Sequence, residues 1–352
     1  MVDKDLASLS DQLMLGTVLL YVVTMVGYAA DLGFGRRRPA EAEAEVREPA
    51  LVGAGAESAA GATDVADAAD GAATESTESA GTPVRREVDW ARFAILMNVV
   101  AWGVHLGELV TRGMAAHRWP WGNMYEFTSA ICFAAVTAYL VILTRQRVRF
   151  LGAFVMVAVI IGLGVATIWL YNDAGPLRPA LNSYWIAIHV TAAITATGAL
   201  SVAAVTTVLY LLAARRVPDE GGDGKDGRSS CFGGVAGGGA PRGVLARLPD
   251  AESLDRLANK TIMFGFPIWT FAIMAGAIWA DQAWGRYWGW DPKETWSFIT
   301  WVGYAGYLHA RATAGWRGRK AAVISLIAFG CLLFNFFGIN FLVSGLHSYA
   351  GG

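Results

Sequence analysis

Eight apolar runs dominate this chain and leave few folds open to it. They are 13–30, 91–110, 124–144, 151–171, 184–214, 261–280, 294–314 and 321–345. About 20 apolar residues in a helix cross a hydrocarbon core of about 30 Å. Only 16% of the 352 residues are charged, against roughly 25% in soluble domains. A water-soluble core with so many long apolar segments is excluded. The expected fold is an all-α integral membrane protein with about eight transmembrane helices.

Charge distribution orients these spans. Arginine and lysine cluster at 36–38, 145–149, 215–216 and 317–320. Each cluster falls at an alternate turn, and cytoplasmic turns are the ones that carry such an excess. Both termini are therefore expected outside. The N-terminal flank is short and acidic with no small-residue cleavage site, which reads as an anchor and not a removed signal.

The organisation follows from these runs. Residues 1–35 hold the first transmembrane helix. Residues 36–89, rich in Ala, Glu, Gly, Ser and Thr, read as a disordered cytoplasmic linker. Residues 90–214 hold helices two to five, and 215–258 form a Gly-rich cytoplasmic loop. Within that loop LPDAESLDRLANK suggests a short amphipathic helix on the inner surface. Residues 259–347 hold helices six to eight, with an external loop at 279–301.

That external loop reads WADQAWGRYWGWDPKETWSFITW and contains six tryptophans. Asp291-Pro292-Lys293-Glu294 has the order of a helix entry. Asp291 caps, Pro292 suits the first helical position, and Glu294 completes a capping box. An interfacial aromatic belt accounts for Trp279 and Trp301. It explains the rings packed between 284 and 290 less well. Gly285 and Gly289 let backbone approach something flat there, and a large planar apolar ligand with charged edges, such as haem, suits the surface.

The segment WGRYWGWDPKETWSFITW resembles the tryptophan-rich WWD signature of the haem-handling proteins of cytochrome c biogenesis. SYWIAIHV before it, YLHAR after it, GLHSY near the end and HRWPWGNMYEF near residue 120 narrow the likeness. Together they resemble the CcsA/ResC type (the actinobacterial CcsB) of the System II cytochrome c synthase. The resemblance covers residues from about 90 onward.

The resemblance implies a function and a site. His189 and His347 would be the iron ligands of an external haem site. His309, deep in its helix, would be a ligand of an inner haem site, its opposite histidine coming from a ResB-like subunit. Trp284, Trp288, Trp290, Asp291 and Trp296 would hold the ring, which is haem b as transferred substrate. The implied activity is haem delivery and thioether formation on CxxCH motifs of apocytochromes c, outside the plasma membrane. A thioredoxin-like reductant of those thiols would be a further partner; nucleic acid is not one. Two alternatives stay open: a haem transporter or chaperone without ligase activity, and a membrane electron carrier that retains a b-type haem.

The remaining residues have simpler readings. His105 reads as a packing or polar-network residue, and His117 as surface or support for the site's roof. Glu108 and Glu126 are expected to pair with Arg112 or Arg118. Arg286 and Lys293 flank the tryptophans as possible partners of haem carboxylates. Cys132, Cys231 and Cys331 show no metal-ligand spacing and read as structural thiols. No GxxxxGK[ST] fingerprint occurs, so nucleotide-driven export would need another subunit.

Overall fold

The computed structural model describes residues 2–34, 89–175, 183–215, 248–313, 315–343 and 345–346. The expected linker at 36–88, most of the loop at 215–258, Cys231 and His347 lie outside the described residues. Among the described residues all regular structure is helical. Eight long helices follow in order: α1 Lys4–Phe34, α2 Trp90–Ala116, α3 Met124–Arg145, α4 Leu151–Trp169, α5 Tyr184–Ala214, α6 Ala251–Trp284, α7 Pro292–Ala312 and α8 Arg319–Leu333. A π-turn, Phe334–Gly338, leads into the short α9, Ile339–Leu342.

Among the described residues, seven spans are long and apolar enough to cross a membrane, the last being α8 through α9. The eighth expected span, α7, is less apolar. It opens with Lys293 and Glu294 and closes with His309 and Arg311. Leu15, Leu19, Ile161, Ile168 and Phe264 stand exposed on the helix surfaces, where hydrocarbon and not water suits them.

Polar caps set the helix starts. The side chains of Asp89, Asn123, Ser183 and Asp250 each accept a backbone N–H from the first turn of the helix that follows. Each satisfies one of the four donors that a helix leaves unpaired at its start. His117 ends α2 in the left-handed conformation at φ 50°, and Gly285 ends α6 at φ 71°.

Packing follows the rule of membrane bundles, in which small residues admit close backbones. A Cβ on Gly198 of α5 would lie 2.6 Å from that of Ala134 of α3. One core fills the contacts of α1, α3 and α4 around Tyr21, Tyr28, Tyr139, Leu151 and Leu163. A second lies among α5, α6, α7 and α8, around Leu200, Ile262, Trp269, Tyr304 and Tyr307.

One expectation is corrected. LPDAESLDRLANK does not form a separate surface helix: from Ala251 the chain runs unbroken into the 34-residue α6. Nothing between Asp250 and Pro267 breaks a helix, so the polar front and apolar back share one axis. Pro267 lacks the N–H that would bond the Met263 carbonyl, and its ring crowds that carbonyl.

Candidate functional site

The loop between α6 and α7 is built by its caps. Gly285 turns the chain out of α6, its N–H donating to the Asp281 carbonyl at 2.8 Å. Asp291 and Glu294 form the expected capping box. Glu294 Oε2 accepts from the N–H groups of Asp291 (3.1 Å) and Gly289 (2.8 Å). Trp290 holds φ 57°, a region that costs a non-glycine residue energy. Its ring is 66% exposed.

Behind the loop lies a cavity of about 150 Å³. His189 and Ile186 of α5, Trp279 and Gly276 of α6, Trp288 of the loop and Lys293 and Glu294 of α7 line it. Phe127 and Ile131 of α3 and Asn335 of the π-turn close it. Its walls are mainly apolar, and its few polar groups converge from three elements.

His189 is fixed on two sides. Its Nδ1 lies 2.7 Å from the Ala272 carbonyl. A carbonyl only accepts, so Nδ1 carries the hydrogen and Nε2 the lone pair. Trp279, 1% exposed, lies parallel to the imidazole with centroids 6.2 Å apart and 8° between planes. Gly276 makes the room: a Cβ there would stand 2.7 Å from His189 Cε1 and Nδ1. The belt reading of Trp279 is thereby corrected, because its ring is buried against His189. Trp301 is also no simple belt residue, since its Nε1–H donates to Thr270 Oγ1 at 3.0 Å.

The other expected ring holders are dispersed. Trp284 packs edge-on to Trp279 at 4.8 Å. Trp290 packs edge-on to Trp288 at 5.7 Å, on the outer side. Trp296 turns to Phe334 of the π-turn, 4.3 Å between centroids. So His189 and Trp288 share the cavity, Trp284 reaches it through Trp279, and Trp290 and Trp296 do not line it.

His347 lies outside the described residues, but its approach is visible. The N–H of Leu346 donates to Asp291 Oδ1 at 3.0 Å. Asp291 thus serves the capping box and tethers the residue next to 347.

His309 sits fifteen residues beyond Glu294, about 22 Å along the axis at 1.5 Å per residue. It is exposed on the same face as Phe298, Val302 and Gly306. Close by, Arg311 pairs with Asp255 of α6 at 2.7 Å. His309 and His189 therefore belong to different places.

Sequence reasoning passes over Asn335 and Gly276. Asn335 Oδ1 and Glu294 Oε1 are buried without a hydrogen-bond partner among the described residues, and both residues line the cavity. π-turns frequently mark functional positions, but nothing in FNFFG announces one. Of the two flanking cations, Lys293 faces the cavity. Arg286 folds back onto its own loop, donating to the Gly289 carbonyl at 3.3 Å. Burial pushes the Lys293 ammonium down to about 8, against the pull of Asp291.

A multi-pass helical bundle with a tryptophan-walled cavity at one end of α6 and α7 is the class that fold and site define. The family model described as cytochrome c assembly protein matches residues 121–347, and the chain belongs to that family. Relatives named cytochrome c biogenesis protein CcsA agree. That of Gloeobacter violaceus is 34% identical over 276 residues, 69% of this chain and 82% of its own length. That of Mesostigma viride is 35% identical over 255 residues, 68% and 80% respectively. That of Trieres chinensis is 32% identical over 273 residues, 73% and 84%. The protein is thus a CcsA-type, multi-pass membrane component of cytochrome c biogenesis.

Proposed function

We propose that this chain delivers haem b and attaches it to the CxxCH motifs of apocytochromes c on the outer side of the plasma membrane. It does so as one subunit of a cytochrome c synthase, with a ResB-like subunit as partner. The observation that carries the reading is the fixed imidazole of His189. An imidazole whose Nδ1 is committed to a backbone carbonyl is oriented for ligation through Nε2. The Asp291–Leu346 bond supports His347 as the opposing ligand.

The cavity residues suit such a cargo. Small-molecule pockets commonly measure about 300–1,000 Å³, so the smaller cavity here takes an edge of a large ring and not its whole body. Trp279 and Trp288 supply flat apolar walls, and Lys293 supplies a cation for a carboxylate edge. Trp290, strained and outward, belongs to the rim. The exposed face of α7 bearing His309 supports an inner site completed by the partner subunit.

The chemistry asked of this chain is positioning. A vinyl group held at the rim meets a cysteine thiol of the docked apocytochrome. The sulfur–carbon bond forms at the inner vinyl carbon, and the thiol proton ends on the outer one. The addition is redox-neutral, and a thioredoxin-like protein keeps the thiols reduced beforehand.

The test is the absorption spectrum of the protein purified with its ResB-like partner, as wild type, His189→Ala and His347→Ala. A reduced bis-histidine spectrum is expected in wild type, weakened in each variant and partly restored by imidazole. Synthesis of a CxxCH reporter cytochrome should fall in parallel. Haem that binds but never reaches the reporter would instead identify an electron carrier or a chaperone. Haem indifferent to both histidines would remove the ligand assignment.

A further inference from the structure

Away from the cavity, α2 carries His105, Glu108 and Arg112 on one face, each at most 1% exposed. His105 lies eleven residues inside the end of α2, about 16 Å along its axis. Ionisable groups at such depth are rare and mark pathways or sites. His105 Nδ1 is 3.1 Å from Tyr21 Oη of α1, and Nε2 is 3.0 Å from Ser129 Oγ of α3. Ser129 Oγ is in turn 3.0 Å from Glu108 Oε2.

A second buried cluster lies one turn further along α2, nearer the surface. Arg112 pairs with Glu126 at 3.2 Å and with Asp11 at 3.3 Å, and donates to the Asn172 carbonyl. Arg118 pairs with Glu126 at 2.6 Å. Tyr171 Oη donates to Asp11 Oδ2 at 2.8 Å. The Asp11 side chain is 39% exposed, so water reaches this end. Three other titratable groups pack here. Asp173 Oδ1 lies 3.4 Å from Tyr171 Oη. Tyr125 lies under the Arg112 guanidinium at 5.0 Å, and Cys132 Sγ faces the Val159 carbonyl.

Ion pairs account for one buried carboxylate and not the other. Glu126 is held by Arg112 and Arg118, whereas Glu108 makes no ion pair among the described residues. A buried region tolerates unpaired charge poorly, and a bound proton neutralises Glu108. Ser129 has one hydroxyl hydrogen for two neighbours. When Ser129 donates to Glu108, His105 Nε2 carries a hydrogen and Nδ1 accepts from Tyr21. When the proton sits on Glu108, Glu108 donates to Ser129 and Ser129 to Nε2, and Nδ1–H turns to the Tyr21 oxygen. Two hops through Ser129 carry that same proton to the imidazole.

We propose that Glu108, Ser129 and His105 form a proton-exchange site in the membrane interior, one turn of α2 inside the Arg112–Glu126–Asp11 cluster. Its ligand is a single proton, and the buffer's conjugate base stays outside. The site is independent of the haem reading, although α3 connects them. Ser129 and Glu126 stand on one face of α3, while Phe127 and Ile131 line the cavity from the other.

Infrared difference spectra between pH steps, on the full chain in lipid nanodiscs, test this. The expected signal is a carboxylic-acid carbonyl band that shifts in D2O and is lost in Glu108→Gln. Its titration midpoint should move in Ser129→Ala and in His105→Phe, and stay in place in His117→Ala. A Glu108→Gln spectrum identical to wild type would overturn the proposal. So would an unchanged midpoint in both Ser129→Ala and His105→Phe, which would leave an isolated acid with no relay. Ser129→Ala removes one oxygen and keeps the helix contacts, so the second criterion holds even where the glutamine variant fails to fold.

Discussion

The backbone N–H of Leu346 donates to Oδ1 of Asp291 across 55 residues of chain, at 3.0 Å. A single carboxylate thereby caps α7 and anchors the segment that leads to His347. Replacing Asp291 with Ala should cost about 1 kcal/mol of helix capping and release that segment. Haem occupancy should fall far more than the melting temperature. Asp291→Asn keeps one acceptor oxygen where the cap uses Oδ2 and the tether Oδ1, so it can keep either bond but not both and should lose less haem than Asp291→Ala. Equal loss in both variants would show that the two bonds must be made together.

Gly276 gives a sharper test of His189. Alanine is the better helix former by up to about 1 kcal/mol, so Gly276→Ala should not lower helix stability by itself. Its methyl would instead push on the imidazole and break the Nδ1 bond to Ala272. Disturbing such an orienting contact typically costs about 10–100-fold in affinity. Porphyrin titration of the purified protein, alongside its thermal unfolding, separates the two effects.

Lys293 sets a pH dependence. Its ammonium, pushed down to about 8 by burial, is charged below that pH and neutral above it. Binding of a porphyrin with free carboxylates should therefore weaken as pH rises through about 8. A porphyrin dimethyl ester should show no such step, nor should Lys293→Met with the free acid. A step that persists in Lys293→Met would assign the titration elsewhere.

Trp290 pairs strain with exposure. Glycine tolerates its φ of 57° without a Cβ penalty, and relief of such strain is worth about 1–3 kcal/mol. Trp290→Gly should leave the protein at least as stable while reporter cytochrome synthesis declines. Unchanged synthesis would make the outward indole dispensable.

Much of this was readable from residue order. Apolar run lengths specify the spans, and Asp-Pro-Lys-Glu specifies the entry to α7, because both are local signals. His105 is recognisable as a network member, since an imidazole at that depth needs partners. What stayed hidden depends on contacts distant along the chain. Trp279 passes for a belt residue until His189, ninety positions earlier, is seen lying parallel to it. Asn335 sits in an apolar run whose extra residue per turn leaves no mark on the pattern. Arg286 and Lys293 look equivalent as flanking cations, yet one closes on its own loop and the other enters the cavity wall.

The unbroken α6 has a mechanical consequence. At 34 residues it is about 51 Å long, well beyond the bilayer's apolar thickness. Four side-chain bonds stitch it to α7 at successive levels. They are Trp269 to Ser297, Trp301 to Thr270, Tyr307 to Asn259 and Arg311 to Asp255. Asp255, bonded to Arg311 of α7, and Trp279, parallel to His189, therefore stand some 36 Å apart on a single braced axis, with Pro267 between them as the one interruption of its hydrogen-bond ladder.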